Sequence, residues 1–422
     1  MYTNEGDTEL RRTGTSASVI LICLLVVALA AGSITGCKKE EKAETKEKAE
    51  LVLWHYWDLP HQRRTLEALV DDYNQSQDDV RVKTRYIPDA DFKKELALSM
   101  ADGNTPDIAL VDSVDFQFFN SMQPFVDLTD DIEELGQYLP AAVEPCTAEG
   151  RTLGLPAGLN CTALFYNADM FEAAGLSVPG TWEAFYDAAR LLTTDDICGY
   201  AQIALKGEES LYAFLPILWS MGGDVDAIDS PESRQAFELL RKMARSGYLG
   251  KESISLTGSD LAGQFADGKV AMMFNSIMMA DHIRERNPEL DFGMTYLPSD
   301  GERVSAVGGE IFGVMEGDNE KASVAFLRYI SEVDRLSSYI DGLGLLAPRK
   351  DVMDRQFAGD ALLREGADIF KTARMREISP EWPRVSAVIA EAIDEAIAGG
   401  KSVETILDET SGAIRGIREG AR

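Results

Sequence analysis

The side chains with the most chemistry gather at Leu51–Asp58, Leu-Val-Leu-Trp-His-Tyr-Trp-Asp. Three apolar residues suited to a buried strand run into Trp54, Tyr56 and Trp57, then the carboxylate Asp58 and the turn residue Pro60. Flat rings cover the apolar face of a pyranose, and a carboxylate accepts hydrogen bonds from hydroxyls, so this grouping suits a sugar. The same rings also suit core packing. Strand alternation sends Trp54 and Tyr56 to one face and Trp57 to the other. Further candidates lie at chain turns. Asp112 and Ser113 end an apolar strand, where a helix N-cap is the competing role, and Asn275 ends another. Trp219 stands just before Gly223 and Asp224, and glycine lets backbone approach a ligand closely. Gly308, Gly309 and Glu310 form one group, and Trp382 sits in Pro-Glu-Trp-Pro-Arg. Aromatics with Asp58 and Glu310 could instead cage a cation. An anionic solute would call for an arginine fork, for which Arg349 and Arg384 are the candidates.

Catalytic patterns are missing. There is no Gly-x-Ser-x-Gly elbow, Walker loop or His-Glu-x-x-His, and Gly308-Gly309-Glu310 lacks the lysine of a phosphate loop. Carboxylates are abundant, but nothing singles out a glycosidase pair. With three histidines, His55, His61 and His282, a histidine-rich metal site is not expected, and no cofactor is implied. The formal charge of 41 − 71 = −30 argues against nucleic acid as a partner.

The elements that must position these residues follow from periodicity. Leu66, Leu69, Val70 and Tyr73 have helical spacing, Val80–Tyr86 alternates as a strand, Phe92–Met100 is helical, and Ile108–Val111 is an apolar strand. This β-α-β-α-β order predicts an α/β fold with a mostly parallel sheet flanked by helices. Ligands then sit beyond the carboxyl ends of strands, where Trp54–Asp58 and Asp112–Ser113 fall. Thr181 is an expected N-cap, as is Ser230 before Pro231. Gly399-Gly400 should split the last helices.

Ahead of the globular part, Arg11 and Arg12 precede the apolar run Val19–Ala31, too short to span a membrane comfortably. Ile34-Thr35-Gly36-Cys37 resembles the bacterial lipobox, which predicts a signal peptide over 1–36 and lipid on Cys37. The acidic leader Glu5, Asp7 and Glu9 departs from that pattern. Residues 37–50 are a charged tether with no apolar face to bury. Of five cysteines, Cys23 leaves with the signal, and the odd set Cys146, Cys161 and Cys198 allows at most one disulfide.

Across the chain after the tether, several segments together resemble the family 1 extracellular solute-binding proteins of ABC importers, the group of maltodextrin-binding protein. They are Leu51–Asp58, Gly103–Ile108, Gly150–Pro156, Tyr166-Asn167 with Phe171–Leu176, and Thr181–Phe185. Gly222-Gly223-Asp224, Phe265–Met272, Gly308–Glu310 and Gly344–Lys350 follow in the same order. The resemblance implies a two-lobe periplasmic-binding-protein fold that closes on a ligand, with about three crossings between lobes. Carried onto this chain, lobe one is 51–160 plus 307–342, and lobe two is 161–306 plus 343–422. It implies a monomeric, non-enzymatic, exported protein, lipid-anchored and facing the periplasm or the outside. Such a protein delivers a small solute to permease subunits. Four tryptophans in candidate cleft loops favour a sugar or oligosaccharide. A polyamine, a phosphate ester, a glycan-processing enzyme and a surface adhesin are the alternatives.

Overall fold

The computed structural model describes residues 48–132, 134–356 and 361–420. The signal segment, Cys37 and the tether up to Glu47 therefore lie outside the described residues. Leu51 and Leu53 are fully buried on strand β1 (Ala49–His55). This strand lies parallel to both β2 (Val80–Tyr86) and β3 (Ile108–Asp112). The helices Pro60–Ser76 and Asp89–Ala101 make the two crossovers, as the spacing of Leu66, Leu69, Val70 and Tyr73 predicts. A two-residue ladder of β4 (Thr147–Ala148) and β5 (Arg151–Thr152) turns at Gly150, whose φ of +77° suits glycine.

The next strand holds the molecule together. β6 (Leu155–Asn167) is almost wholly buried. Its first part pairs antiparallel with β10 (Ser305–Val314), and its last residues pair antiparallel with β8 (Met272–Ser276) and β9 (Phe292–Thr295). β7 (Ala201–Gln202) lies parallel to β8, and β11 (Ala373–Arg374) parallel to β10. The path β2-β1-β3-β10-β6-β8-β7 is thus a mixed sheet, parallel toward both ends and antiparallel where the long strands meet. Each half is covered by helices, giving the two-lobed α/β architecture.

Side-chain alternation builds a core on each face of the sheet. On the β1–β3 side, Leu51, Leu53 and Trp57 pack with Tyr339 and Ile340, while Trp54 and Val111 pack with Phe116 on the other face. On the β6–β8 side, Leu164 and Phe274 meet Trp182 and Ile389, and Phe165 and Met273 meet Phe265. The core on the β1–β3 side also takes Leu343, Leu345 and Val352, so its packing runs past residue 342. Thr181 and Ser230 cap their helices through backbone amides of Ala184 and Ser233. The C-terminal helices Trp382–Ala398 and Val403–Gly420 part at Gly399-Gly400. Cys146, Cys161 and Cys198 are all unpaired. Burial pushes the Cys146 thiol up to about 12, leaving it unreactive at neutral pH.

Candidate functional site

β3 ends at Asp112, and β10 runs past it in the opposite direction with Glu310 in direct register. Opposed residues of an antiparallel pair project to the same face, so two carboxylates are set side by side, an unfavourable pairing on its own. The β10–β6 register shifts between Glu310 and Ile311, which face Gly158 and Pro156, leaving Ala157 of β6 as the extra residue. Glu310 is only 7% exposed, and its Oε2 has no hydrogen-bond partner. Burial, then the charge of Asp112, pushes its carboxyl well above the ordinary range.

One cation answers this crowding. Arg376 is 3% exposed. Its Nη1 donates to Glu208 Oε1 at 2.6 Å, its Nη2 to Asp112 Oδ1 at 3.4 Å, and its Nε to the Val307 carbonyl at 3.3 Å. Burial by itself would lower its affinity for the proton; Asp112 and Glu208 reverse that and keep it charged. Glu208, at the start of the helix Glu208–Ser220, also accepts from the Trp382 indole N–H at 3.1 Å. The guanidinium stands 5.2 Å from the ring centre of Tyr212, whose hydroxyl donates to Asn160 Oδ1 at 2.6 Å. Gly308 makes room here: a Cβ would stand 2.1 Å from that same oxygen. Trp382→Phe keeps the packing but leaves Glu208 Oε2 without its donor. A stability loss of about 1–2 kcal/mol by denaturant unfolding is expected, and none would remove this bond from the account.

Around this pair lie further polar groups, some buried and some open to water. Lys93 reaches Asp115 at 2.7 Å. Burial first, then repulsion from Asp112, brings the Asp115 carboxyl up to about 7 despite Lys93. Asp58 Oδ2 accepts from Ser259 at 3.0 Å, joining the segment after β1 to the first turn of the helix Gly258–Ala266. Asn275, fully buried at the end of β8, holds that turn by donating to the Gly258 carbonyl at 2.9 Å. Asp58, Asp89 and Glu209 are exposed, and Asp89 and Glu209 are also crowded by the protein around them. Burial, then Asp89, raises the Glu209 carboxyl to about 7. Tyr56 faces the same carboxylates with its hydroxyl unpartnered; burial, then Glu310, raises its pKa. Among the described residues no group of three or more His, Cys, Asp or Glu has the geometry of a metal site.

The sequence-derived candidates divide accordingly. Tyr56, Asp58, Asp112, Glu310, Gly308 and Trp382 all border this network. Ser113 is buried there with its hydroxyl 3.4 Å from Asp112 Oδ1, and its amide donates to the Gly309 carbonyl. Trp54 and Trp57 are buried in the two cores, Trp54 with the Arg85 guanidinium 4.5 Å from its ring centre. Trp219 and Asp224 form another group through Arg374, which lies 4.8 Å from the Trp219 ring centre and 2.6 Å from Asp224. Gly223 is wedged against Leu218 and Ser233. The two arginines considered for an anion are not the ones in the network. Arg349 is occupied by Asp351 and Glu134, and Arg376 takes the central place. Arg376, Glu208, Glu209, Lys93 and Ser259 carry no motif. Gly207-Glu208-Glu209 reads only as acidic residues favouring a helix start. An open hollow of about 440 Å³ beside Met100, Thr105, Met122 and Met315 lies at the far ends of β3 and β10.

A two-lobed α/β chain with a polar cleft fed by strand ends is a ligand-binding protein. Residues 68–364 match the family model of bacterial extracellular solute-binding proteins, and the chain belongs to that family. Among curated relatives, the sn-glycerol-3-phosphate-binding periplasmic protein of Shigella flexneri is 23% identical over 82% of this chain and 87% of its own. The multiple sugar-binding protein of Streptococcus mutans is 20% identical over 75% and 79%. A solute-binding protein of an ABC transporter from Thermotoga lettingae, bound with α-D-tagatose, superposes with a TM-score of 0.82. It is 21% identical, covering 88% of this chain and 100% of that one.

Proposed function

We propose that the chain is the lipid-anchored capture component of an ABC importer, holding a sugar or oligosaccharide between two lobes and passing it to permease subunits. Cys37 carries the lipid and 38–48 form the tether, shorter at its end than the composition suggests because Ala49 and Glu50 already pair with β2 as part of β1. The first lobe is 51–160 with 307–342 and the second 161–306 with 343–422, the segment just after 342 serving as a shared connection. The observation that carries the reading is convergence: Asp58, Asp89, Asp112 and Glu310 meet Glu208, Glu209, Ser259 and Arg376, with Asp58, Asp89 and Glu209 open to water and Glu310 and Arg376 buried behind them. A solute touching both sets favours the arrangement in which they are close, by as much as its affinities for the two states differ. Hydroxyl-rich solutes suit acceptors of this density, and several relatives bind sugars by name.

A thermal-shift screen of residues 48–422 against a sugar panel tests the reading. A ligand at a hundred times its dissociation constant should add about 2.7 kcal/mol of stability. A shift with a polyamine or a phosphate ester and with no sugar would overturn the carbohydrate assignment. Hydrolysis of a panel member, lost on replacing one cleft carboxylate, would overturn the non-enzymatic one.

A further inference from the structure

The charges of the cleft do not balance. Arg376 is shared by Asp112 and Glu208, and Lys93 is taken by Asp115. Asp58, Asp89, Glu209 and Glu310 have no ion-pair partner among the described residues. The imidazoles near Asp58, His61 and His282, are kept neutral at pH 7, chiefly by burial. A surplus of carboxylates alone would be solvated surface. Here one of them is not: Glu310 is more than nine-tenths buried, opposite Asp112, with Oε2 unpartnered and the unpartnered Tyr56 hydroxyl bordering the same carboxylates.

A sugar hydroxyl could donate one hydrogen bond to Glu310 but would bring no positive charge to let Glu310 and Asp112 ionise side by side. An ammonium group has three donors and one positive charge, enough to serve Glu310 Oε2, Asp112 and the Tyr56 oxygen together. Phosphorylated or carboxylated solutes would add to the repulsion, because both cations of the cleft are already engaged. We propose that the solute carries a protonated amine on a hydroxylated ring, as in an amino sugar, and that the amine is seated between Glu310 and Asp112. This rests on the carbohydrate reading above and narrows its substrate class.

Matched pairs test it: glucosamine with glucose, galactosamine with galactose, and the chitosan dimer with cellobiose, each titrated calorimetrically into residues 48–422 at neutral pH. A charge-assisted hydrogen bond in place of a neutral one predicts that at least one amine binds about tenfold or more tighter than its hydroxyl counterpart. Glu310→Gln should bring that ratio close to one, with the unliganded variant still folded. Equal or tighter binding of the hydroxyl partners would overturn the amine inference while leaving the carbohydrate reading standing. A ratio that survives Glu310→Gln would overturn the seat assigned here. Binding of spermidine with no response to any saccharide would remove the carbohydrate reading and the inference with it.

Discussion

Arg376→Met is expected to destabilise the folded protein by about 3–5 kcal/mol, the cost of leaving buried charges without their partner. Methionine fills much of the same volume, so the loss is not chiefly a cavity effect. What changes is that Glu208 loses a 2.6 Å donor, Asp112 loses its counter-charge, and Glu310 loses the one nearby cation that lowers its pKa. Urea unfolding near neutral pH reads the loss. Adding Glu208→Gln should recover part of it, because the two side chains are in contact and their effects cannot add. A loss below about 1 kcal/mol would mean that water reaches these groups freely and that the network is not a dry one.

Glu310→Gln should act in the opposite direction, raising stability by about 3 kcal/mol at pH near 8 through removal of a poorly compensated buried charge. The pH dependence carries the sign. Burial, then Asp112, holds the folded-state pKa of Glu310 above its unfolded value near 4.3. The stability this group contributes is full below that unfolded value and is lost as pH rises through the folded one. Glutamine has no proton to lose, so the variant's advantage should appear at pH near 8 and vanish at pH near 4. A gain of equal size at both would trace to packing instead. Retaining such a residue at a stability cost is what a binding role predicts.

How far the amino-acid pattern reached can be judged from single elements. β1 and its neighbours were legible because Leu51 and Leu53, or Val80 and Val82, follow the two-residue period of a half-buried strand. Thr181 and Ser230 were legible because caps are local chemistry. The bulk of the sheet was harder. β10 reaches its neighbours β3 and β6 from far along the chain, and no local pattern says that a strand at 305–314 will sit between them or run antiparallel. The site shows the same division. Asp58, Asp112 and Glu310 could be singled out by their positions at strand ends or beside glycines. Arg376 could not, since its role exists only after the chain brings it to Glu208, a partner 168 residues earlier. Aromatic content also misled by type: Trp54 and Trp57 are core rings, while the less apolar Tyr56 borders the carboxylates.

The late arrival of β10 has a consequence for the order of events during synthesis. Until Val314 has emerged from the ribosome, β3 and β6 each lack one neighbour and are the open edges of two separate groups of strands. Contacts of such sequence separation make folding slow, and open edges invite association with other chains. The nascent polypeptide should therefore remain an extended client of holding chaperones until most of its length has been made. Ribosome-stalled chains with Val314 still inside the exit tunnel and with it fully emerged would then differ sharply in protease resistance.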